Sequence, residues 1–281
     1  MTIDLHTHST ASDGTVPPAA IPALAREAGL EVVALTDHDT LAGLAAAGRA
    51  ADEAGVEFVP GVEISCRIDE VEVHLLGYFV DPGHRPLTDE LELIRLDRSN
   101  RAVRMVHRCR EFGADITIEQ VRAIAGTAAI GRPHVAAALV AAGVVAQPAE
   151  AFTDRWIGDG GRADVPKHVL TAERAIGLVR AAGGAAVLAH PRSFKRRAEV
   201  TDAQFAELVV AGLAGIEVDH PEHEPTVRSA LRHLATELGV LATGSSDFHG
   251  DRKPVRLGEF TTPREVLAAL RAAQVAAGSA A

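Results

Sequence analysis

The sequence predicts an α/β fold in which roughly seven strands close, or nearly close, into a barrel. Three observations lead there. Short apolar runs alternate with amphipathic stretches of helical period, and glycine recurs at the ends of the helical stretches. The chain has 281 residues, which suits one α/β barrel or a barrel carrying an insert. Strands alternating with helices build parallel βαβ units.

The elements follow in order. Ile3–His6 reads as a strand and runs into a turn containing Ser12-Asp13-Gly14. Pro17–Ala28 reads as a helix, with proline near its start and Gly29 just past its end. Glu31–Thr36 is strand-like through Val32, Val33 and Leu35, and Leu41–Ala54 is helical up to Gly55. Phe58–Ser65 and Val71–Phe79 are β-rich runs separated by a charged turn. Ala185–Ala189, Gly215–Val218 and Val240–Thr243 supply further strands, each after a helical segment with glycine at its end. Between Pro86 and Arg162 the rhythm breaks into long helical patterns, with apolar positions at Leu91, Ile94, Val103, Val106 and Phe112. The expected organisation is a discontinuous barrel of residues 1–85 and 163–281, with a helical insertion subdomain over 86–162 packed on it.

Composition narrows the function. With 47% hydrophobic and 23% charged residues the chain is globular in type, and wholesale disorder is excluded. A formal net charge of −10 argues against a general nucleic-acid binder, which carries a basic footprint. The start Met1-Thr2-Ile3-Asp4 has no basic leader, and the longest apolar run, Val135 to Ala146, is too short for a bilayer. A cytoplasmic protein is expected, neither secreted nor embedded in a membrane. Cys66 and Cys109 match no zinc or redox spacing, so no disulfide framework is expected.

Chemistry-bearing residues recur at strand ends. His6-Thr7-His8 closes the first strand, and residues two apart on a strand face the same side, so both rings reach one ion. Asp13 follows in the turn, Thr36-Asp37-His38-Asp39 ends the second strand, and Glu63 and His74 lie on the third and fourth. His190 ends the run Ala185–Ala189, while Asp247 and His249 follow Val240–Thr243. Any one of these alone would read as a surface or capping residue. Their recurrence at the C-terminal ends of successive strands, where barrel enzymes place their sites, points to one centre. Imidazoles and carboxylates without thiolates suit Zn²⁺, Mn²⁺ or Fe²⁺, and so many ligands imply two or three ions. Such a cluster, with Glu63 bridging, would hold a hydroxide and clamp a phosphoryl oxygen for in-line phosphoester hydrolysis.

The set His6-x-His8, Asp13-Gly14, Thr36-Asp37-His38-Asp39, Pro60-Gly61-x-Glu63, His74, Ala189-His190-Pro191 and Ser246-Asp247-x-His249 resembles the polymerase and histidinol phosphatase (PHP) superfamily. The resemblance covers nearly the whole chain. Gly131-Arg132-Pro133-His134, Ala151-Phe152…Gly160-Gly161 and Ala182-Gly183-Gly184-Ala185 resemble its stand-alone nucleotide phosphatase branch. That branch removes the 3′-phosphate of 3′,5′-bisphosphonucleotides, and some members trim RNA from its 5′ end. The resemblance implies a distorted (β/α)7 barrel and three divalent ions, Mn²⁺ foremost, with Zn²⁺ or Fe²⁺ as alternatives. It gives one ion His6, His8, Glu63 and Asp247, a second Glu63, His74 and His134, and a third Asp13, His38, His190 and His249.

Phosphate binding is expected from Arg132, Lys167 and the basic loop Arg192, Lys195, Arg196 and Arg197. Arg132 and His223 are the candidate catalytic helpers beside the hydroxide; His220, like His223, lies near the expected rim. Arg95, Arg98, Arg101, Arg104 and Arg108 recur along one helix as a solvated face paired with carboxylates, or as a track for an RNA backbone. The expected function is a metal-dependent phosphatase acting on a small phosphorylated nucleotide. Exoribonuclease action on short RNA and histidinol-phosphate hydrolysis are alternatives at the same site, and a metal-binding structural module is the non-enzyme alternative. No obligate protein partner is evident.

Overall fold

The computed structural model describes residues 2–126, 130–166, 168–194 and 199–278. In chain order the elements begin with β1 (Ile3–Asp4), α1 (Ile21–Glu27), β2 (Val32–Leu35), α2 (Leu44–Ala54), β3 (Glu57–Ile68) and β4 (Val71–Tyr78). Four helices follow: α3 (Arg85–Glu111), α4 (Ile118–Ala125), α5 (Arg132–Ala141) and α6 (Pro148–Ala151). Then come β5 (Leu170–Thr171), α7 (Ala172–Ala181), β6 (Ala185–Ala189), α8 (Asp202–Ala211), β7 (Gly215–Asp219), α9 (Pro225–Leu238), β8 (Leu241–Gly244) and α10 (Arg264–Gly278). Two compact units result, Met1–Leu91 with Val169–Ala281, and Glu92–His168, with the boundary falling inside α3.

The first unit is a nearly closed barrel of seven strands in the order β1-β2-β3-β4-β6-β7-β8, with the short β5 added beside β3. Burial explains why its strands read as unbroken apolar runs: every residue of β2 and β6 is buried. Ile21 and Ala25 of α1 pack with Val33, while Leu44 and Ala47 of α2 pack with Leu35. Leu267 and Leu270 of α10 join Ile3, Val32, Val59, Leu76 and Val187 in a common core.

One expectation is corrected. The units are not uniformly parallel, because β4 runs antiparallel to both β3 and β6. Only Asp69 and Glu70 separate β3 from β4, and so short a link makes a hairpin, whereas a parallel crossover needs about a dozen residues. Asp69 adopts a left-handed φ of 49°, as such tight turns require. The reversal matters for the site. His74, in the interior of β4, is in register with Ser65 on one side and Ala189 on the other. It therefore arrives beside the strand end that carries His190.

The seam between β1 and β8 is closed by side chains and loops. His8 N–H donates to Phe248 O at 2.8 Å, and Thr262 N–H donates to Ile3 O at 2.9 Å. Thr262 Oγ1 donates to Gly244 O (2.7 Å) and accepts from Gly244 N–H (3.0 Å). Fully buried Asp4 accepts from the N–H groups of His6 (3.3 Å), Ser246 (3.1 Å) and Gly258 (2.9 Å).

The second unit is helical in its described residues. Met105, Val106, Cys109, Ile116, Val121, Val135, Leu139, Trp156 and Ile157 form its core. Thr117 caps α4 reciprocally with Gln120: its Oγ1 accepts from Gln120 N–H, and its own N–H donates to Gln120 Oε1. Arg101 bonds the Asp164 carboxylate at 3.1 Å, Arg104 bonds Asp97 at 2.6 Å, and Arg108 bonds the Asp164 carbonyl. Three members of the arginine row are thus tied to the unit's own acceptors. No helix among the described residues is long and apolar enough to cross a membrane.

Candidate metal centre

The strand ends of the barrel are shaped to turn polar side chains inward. After β1, Asp37 organises the following turn by accepting from Ser9 N–H (2.8 Å), Ser9 Oγ (2.6 Å) and Ser12 Oγ (2.6 Å), which fixes the position of Asp13. Gly14 permits that turn, since a Cβ there would lie 2.5 Å from His8 O. Asp39, His190 and Asp247 hold left-handed backbones, with φ of 52°, 27° and 53°. Non-glycine residues adopt this region at an energetic cost, and such strain concentrates at functional sites. Asp39 then accepts from Ser65 N–H (2.7 Å) and Ser65 Oγ (2.8 Å), locking β2 to β3 beside Glu63.

Glu63 is the hub. Its Oε2 lies 3.2 Å from His6 Nε2, 3.1 Å from His8 Nε2 and 3.1 Å from His38 Nδ1. Its Oε1 lies 2.8 Å from His74 Nδ1 and 3.0 Å from His190 Nε2. Five imidazoles converge on one carboxylate. His6 Nε2 and His8 Nε2 are only 3.0 Å apart, and Asp247 Oδ1 lies 3.5 and 3.3 Å from them. On the other side, Asp13, His38 and His249 gather with His8, all four ligand atoms lying within 4.8 Å of one another.

This donor set fits divalent cations. Glu63 Oε2 and His8 Nδ1 are buried without a hydrogen bond, a costly condition that a cation relieves at the oxygen. The hydrogen bonds also aim ring lone pairs at the centre. His6 Nδ1 lies 3.0 Å from Glu217 Oε1, so Nδ1 donates there and Nε2 is the nitrogen turned toward Glu63 and Asp247. His249 Nδ1 likewise donates to the Asp247 carbonyl at 2.9 Å, leaving Nε2 toward Asp13. His190 sits with His74 on Glu63 Oε1, whereas the resemblance groups it with Asp13, His38 and His249.

Burial opposes charge on each of these groups. At His6 the carboxylates of Glu217, Glu63 and Asp247 outweigh burial and hold the pKa well above its ordinary value. At His8, bonds to Asp247 and Glu63 outweigh it and raise the pKa to about 9. For His38 and His190 burial prevails, lowering the pKa to about 3 and about 4, so both rings are neutral and ready to ligate. Burial pushes Glu63 and Asp247 upward, yet the surrounding imidazoles hold both well below the usual carboxylate range.

Glu217 and Lys253 carry no simple sequence signal, whereas His220 lies near the rim, as its place after Gly215–Val218 suggests. Glu217 is fully buried in β7, accepting from His190 N–H (2.8 Å) and Ser245 Oγ (2.5 Å) besides its bond to His6. The sign available was a charged residue inside the apolar run Gly215–Val218. His220 takes Glu222 N–H on Nδ1 at 3.0 Å, so Nε2 carries the hydrogen toward Asp247 Oδ2 at 3.3 Å. Lys253, in the loop beyond Asp247, bonds the same Oδ2.

The remaining expected residues fall elsewhere. Arg192 is paired with Asp202 and lies over the Phe205 ring. Lys167, Lys195, Arg196 and Arg197 lie outside the described residues. Arg132 pairs with Asp159 within the helical unit. His134, in the first turn of α5, accepts Gly131 N–H on Nδ1 at 3.0 Å. This bond caps the first turn of α5. His223 donates Nδ1–H to Val218 O at 2.8 Å, and its buried Nε2 has no hydrogen-bond partner. Burial lowers its pKa.

Comparison with known proteins gives the chain its family. The PHP domain family profile matches residues 4–127. A 5′-3′ exoribonuclease of Haemophilus influenzae is 32% identical over 91% of this chain and 93% of its own length. A 3′,5′-nucleoside bisphosphate phosphatase of Chromobacterium violaceum is 33% identical over 88% of this chain and 87% of its own. A crystal structure assigned to the metal-dependent phosphoesterases, from Bifidobacterium adolescentis, superposes with a TM-score of 0.79 at 34% identity, over 96% of both chains. By whole-length relationship and by fold, the chain belongs to the PHP-domain family of metal-dependent phosphoesterases.

Proposed function

We propose that this phosphoesterase removes the 3′-phosphate from 3′,5′-bisphosphonucleotides, giving a 5′-mononucleotide and inorganic phosphate in the cytoplasm. The observation that carries the reading is the convergence of five imidazoles on Glu63, flanked by Asp13 and Asp247. It is supported by the whole-length kinship with the Chromobacterium phosphatase.

In this reading three divalent ions, Mn²⁺ by preference, are held by His6, His8, Glu63 and Asp247; by Glu63, His74 and His190; and by Asp13, His38 and His249. Bound there, they supply Lewis-acid charge to the phosphoryl oxygens and make water acidic enough to attack at neutral pH. The chain's own part is orientation. Glu217 holds the His6 ring by its Nδ1–H, and the Asp247 carbonyl holds the His249 ring in the same way. Glu63 keeps its two oxygens turned to different histidines, and His6, His8, Glu63, Asp247 and His249 are buried. His134 is left out of this ligand set, and Arg132 is retained as a phosphate-binding candidate on the resemblance alone.

A second reading, 5′→3′ exoribonuclease action at the same centre, is favoured by kinship with the Haemophilus enzyme. Rates of phosphate release from 3′,5′-bisphosphoadenosine, measured beside mononucleotide release from a 5′-phosphorylated oligoribonucleotide, test both. The proposal expects the bisphosphonucleotide to be preferred. Hydrolysis of the oligonucleotide alone would replace it with the second reading.

A further inference from the structure

A side-chain cation can stabilise phosphoryl oxygens alongside bound ions, and the arginines described around the barrel centre are engaged elsewhere. Arg192 is held by Asp202 and Phe205. Arg228 donates to His223 O at 2.9 Å and lies over the Phe260 ring at 4.5 Å. Arg232 forks onto Asp219. Lys253 differs from all of these. Its Nζ touches Asp247 Oδ2 at the centre itself, while its side chain remains 29% exposed.

The loop that carries it is fixed. Asp251 N–H donates to Thr15 Oγ1 at 3.0 Å, and Lys253 N–H to Gly250 O at 3.4 Å. Gly250 has a φ of 67°, and a Cβ there would lie 2.0 Å from Thr15 Oγ1. The two oxygens of Asp247 are also divided. Oδ1 faces His6, His8 and His249, and Oδ2 receives both Lys253 and His220. Oδ2 therefore has a second donor, and it keeps a partner if the lysine leaves.

We propose that Lys253 is a substrate-phosphate ligand, its ammonium passing from Asp247 Oδ2 to a non-bridging phosphoryl oxygen while His220 keeps Asp247 in place. Ammonium-to-phosphate bonds are charge-assisted and strong, and a fixed cation offsets charge growing on the equatorial oxygens. The inference rests on the phosphatase reading above.

The test compares Lys253→Met and Lys253→Arg with the wild type, using Arg252→Ala as a control in the same loop. Steady-state kinetics on 3′,5′-bisphosphoadenosine are paired with calorimetric binding of inorganic phosphate and with the content of bound metal. The proposal expects Lys253→Met to bind phosphate about 10- to 100-fold more weakly and to raise KM in parallel. Lys253→Arg should recover part of both, with metal content equal in all variants. Unchanged phosphate binding in Lys253→Met overturns it. So does a fall in bound metal that accounts for the loss, since the lysine would then act on Asp247 alone. A wild type that loads metal but neither binds nor releases phosphate refutes the phosphatase reading, and the proposal with it.

Discussion

His6 Nδ1 lies 3.0 Å from Glu217 Oε1, with both side chains fully buried. The carboxylate fixes the ring's tautomer and aims Nε2 at the centre, and partners of this kind typically contribute about 10- to 100-fold to metal affinity. Glu217→Ala is therefore expected to weaken metal binding by about that factor. Glu217→Gln, which still accepts a hydrogen bond, should lose less. Equilibrium dialysis against Mn²⁺ measures both.

Glu63 reaches two sets of histidines through its two oxygens. Glu63→Gln should consequently release more bound metal than His249→Ala, which removes a group from one set only. Phosphate release should fall at least about a hundredfold with it. Elemental analysis of the dialysed variants gives the comparison, and equal losses would argue against a bridging role.

Metal loading should release protons. His6 and His8 are held above the ordinary histidine pKa, His8 at about 9, whereas a ligating ring must be bare. Apparent affinity should therefore climb between about pH 6.5 and pH 9, about tenfold per pH unit for each proton displaced. The sign for the metal-free chain is opposite. The stability that His8 contributes is fully present below about pH 6.5 and is lost as pH rises through about 9. Calorimetric metal titrations in two buffers of different ionisation enthalpy count the protons, and thermal melts of the stripped chain follow the stability.

Asp4 accepts three backbone N–H groups, two of them, from Ser246 and Gly258, across the barrel seam. Asp4→Ala leaves those donors buried and unpaired, and a loss of about 2–3 kcal/mol is expected. Burial raises the pKa of this carboxyl, so relief of its desolvation keeps the loss from being larger. The shift of the urea midpoint reports it.

His134 caps α5 through its Nδ1. His134→Ala is expected to leave bound metal unchanged while lowering stability by about 1 kcal/mol. Loss of metal in this variant would restore the ring to the ligand set.

Much of the barrel was legible because buried strands read as apolar runs: Ala185–Ala189 matches β6 residue for residue. The direction of β4 was harder to read, since an apolar run has no polarity; only the two-residue link Asp69-Glu70 encodes the reversal. The ligands that converge were legible because they recur at strand ends. Their orienting partners were not, because Glu217 and His6 meet from opposite ends of the chain and Glu217 hides in an apolar strand. Lys253 reads as an ordinary loop cation until folding sets it on Asp247. The contact of His134 with Gly131, three residues away, was not legible either, since spacing alone does not show that the ring accepts that N–H.

The account stands most directly on phosphate release from 3′,5′-bisphosphoadenosine by the purified chain, measured before chelation, after chelation, and after restoring Mn²⁺. It predicts release that disappears with the metal and returns with it in the wild type, and that stays absent in Glu63→Gln. Release that survives complete removal of metal, or that is undiminished in Glu63→Gln, would contradict it.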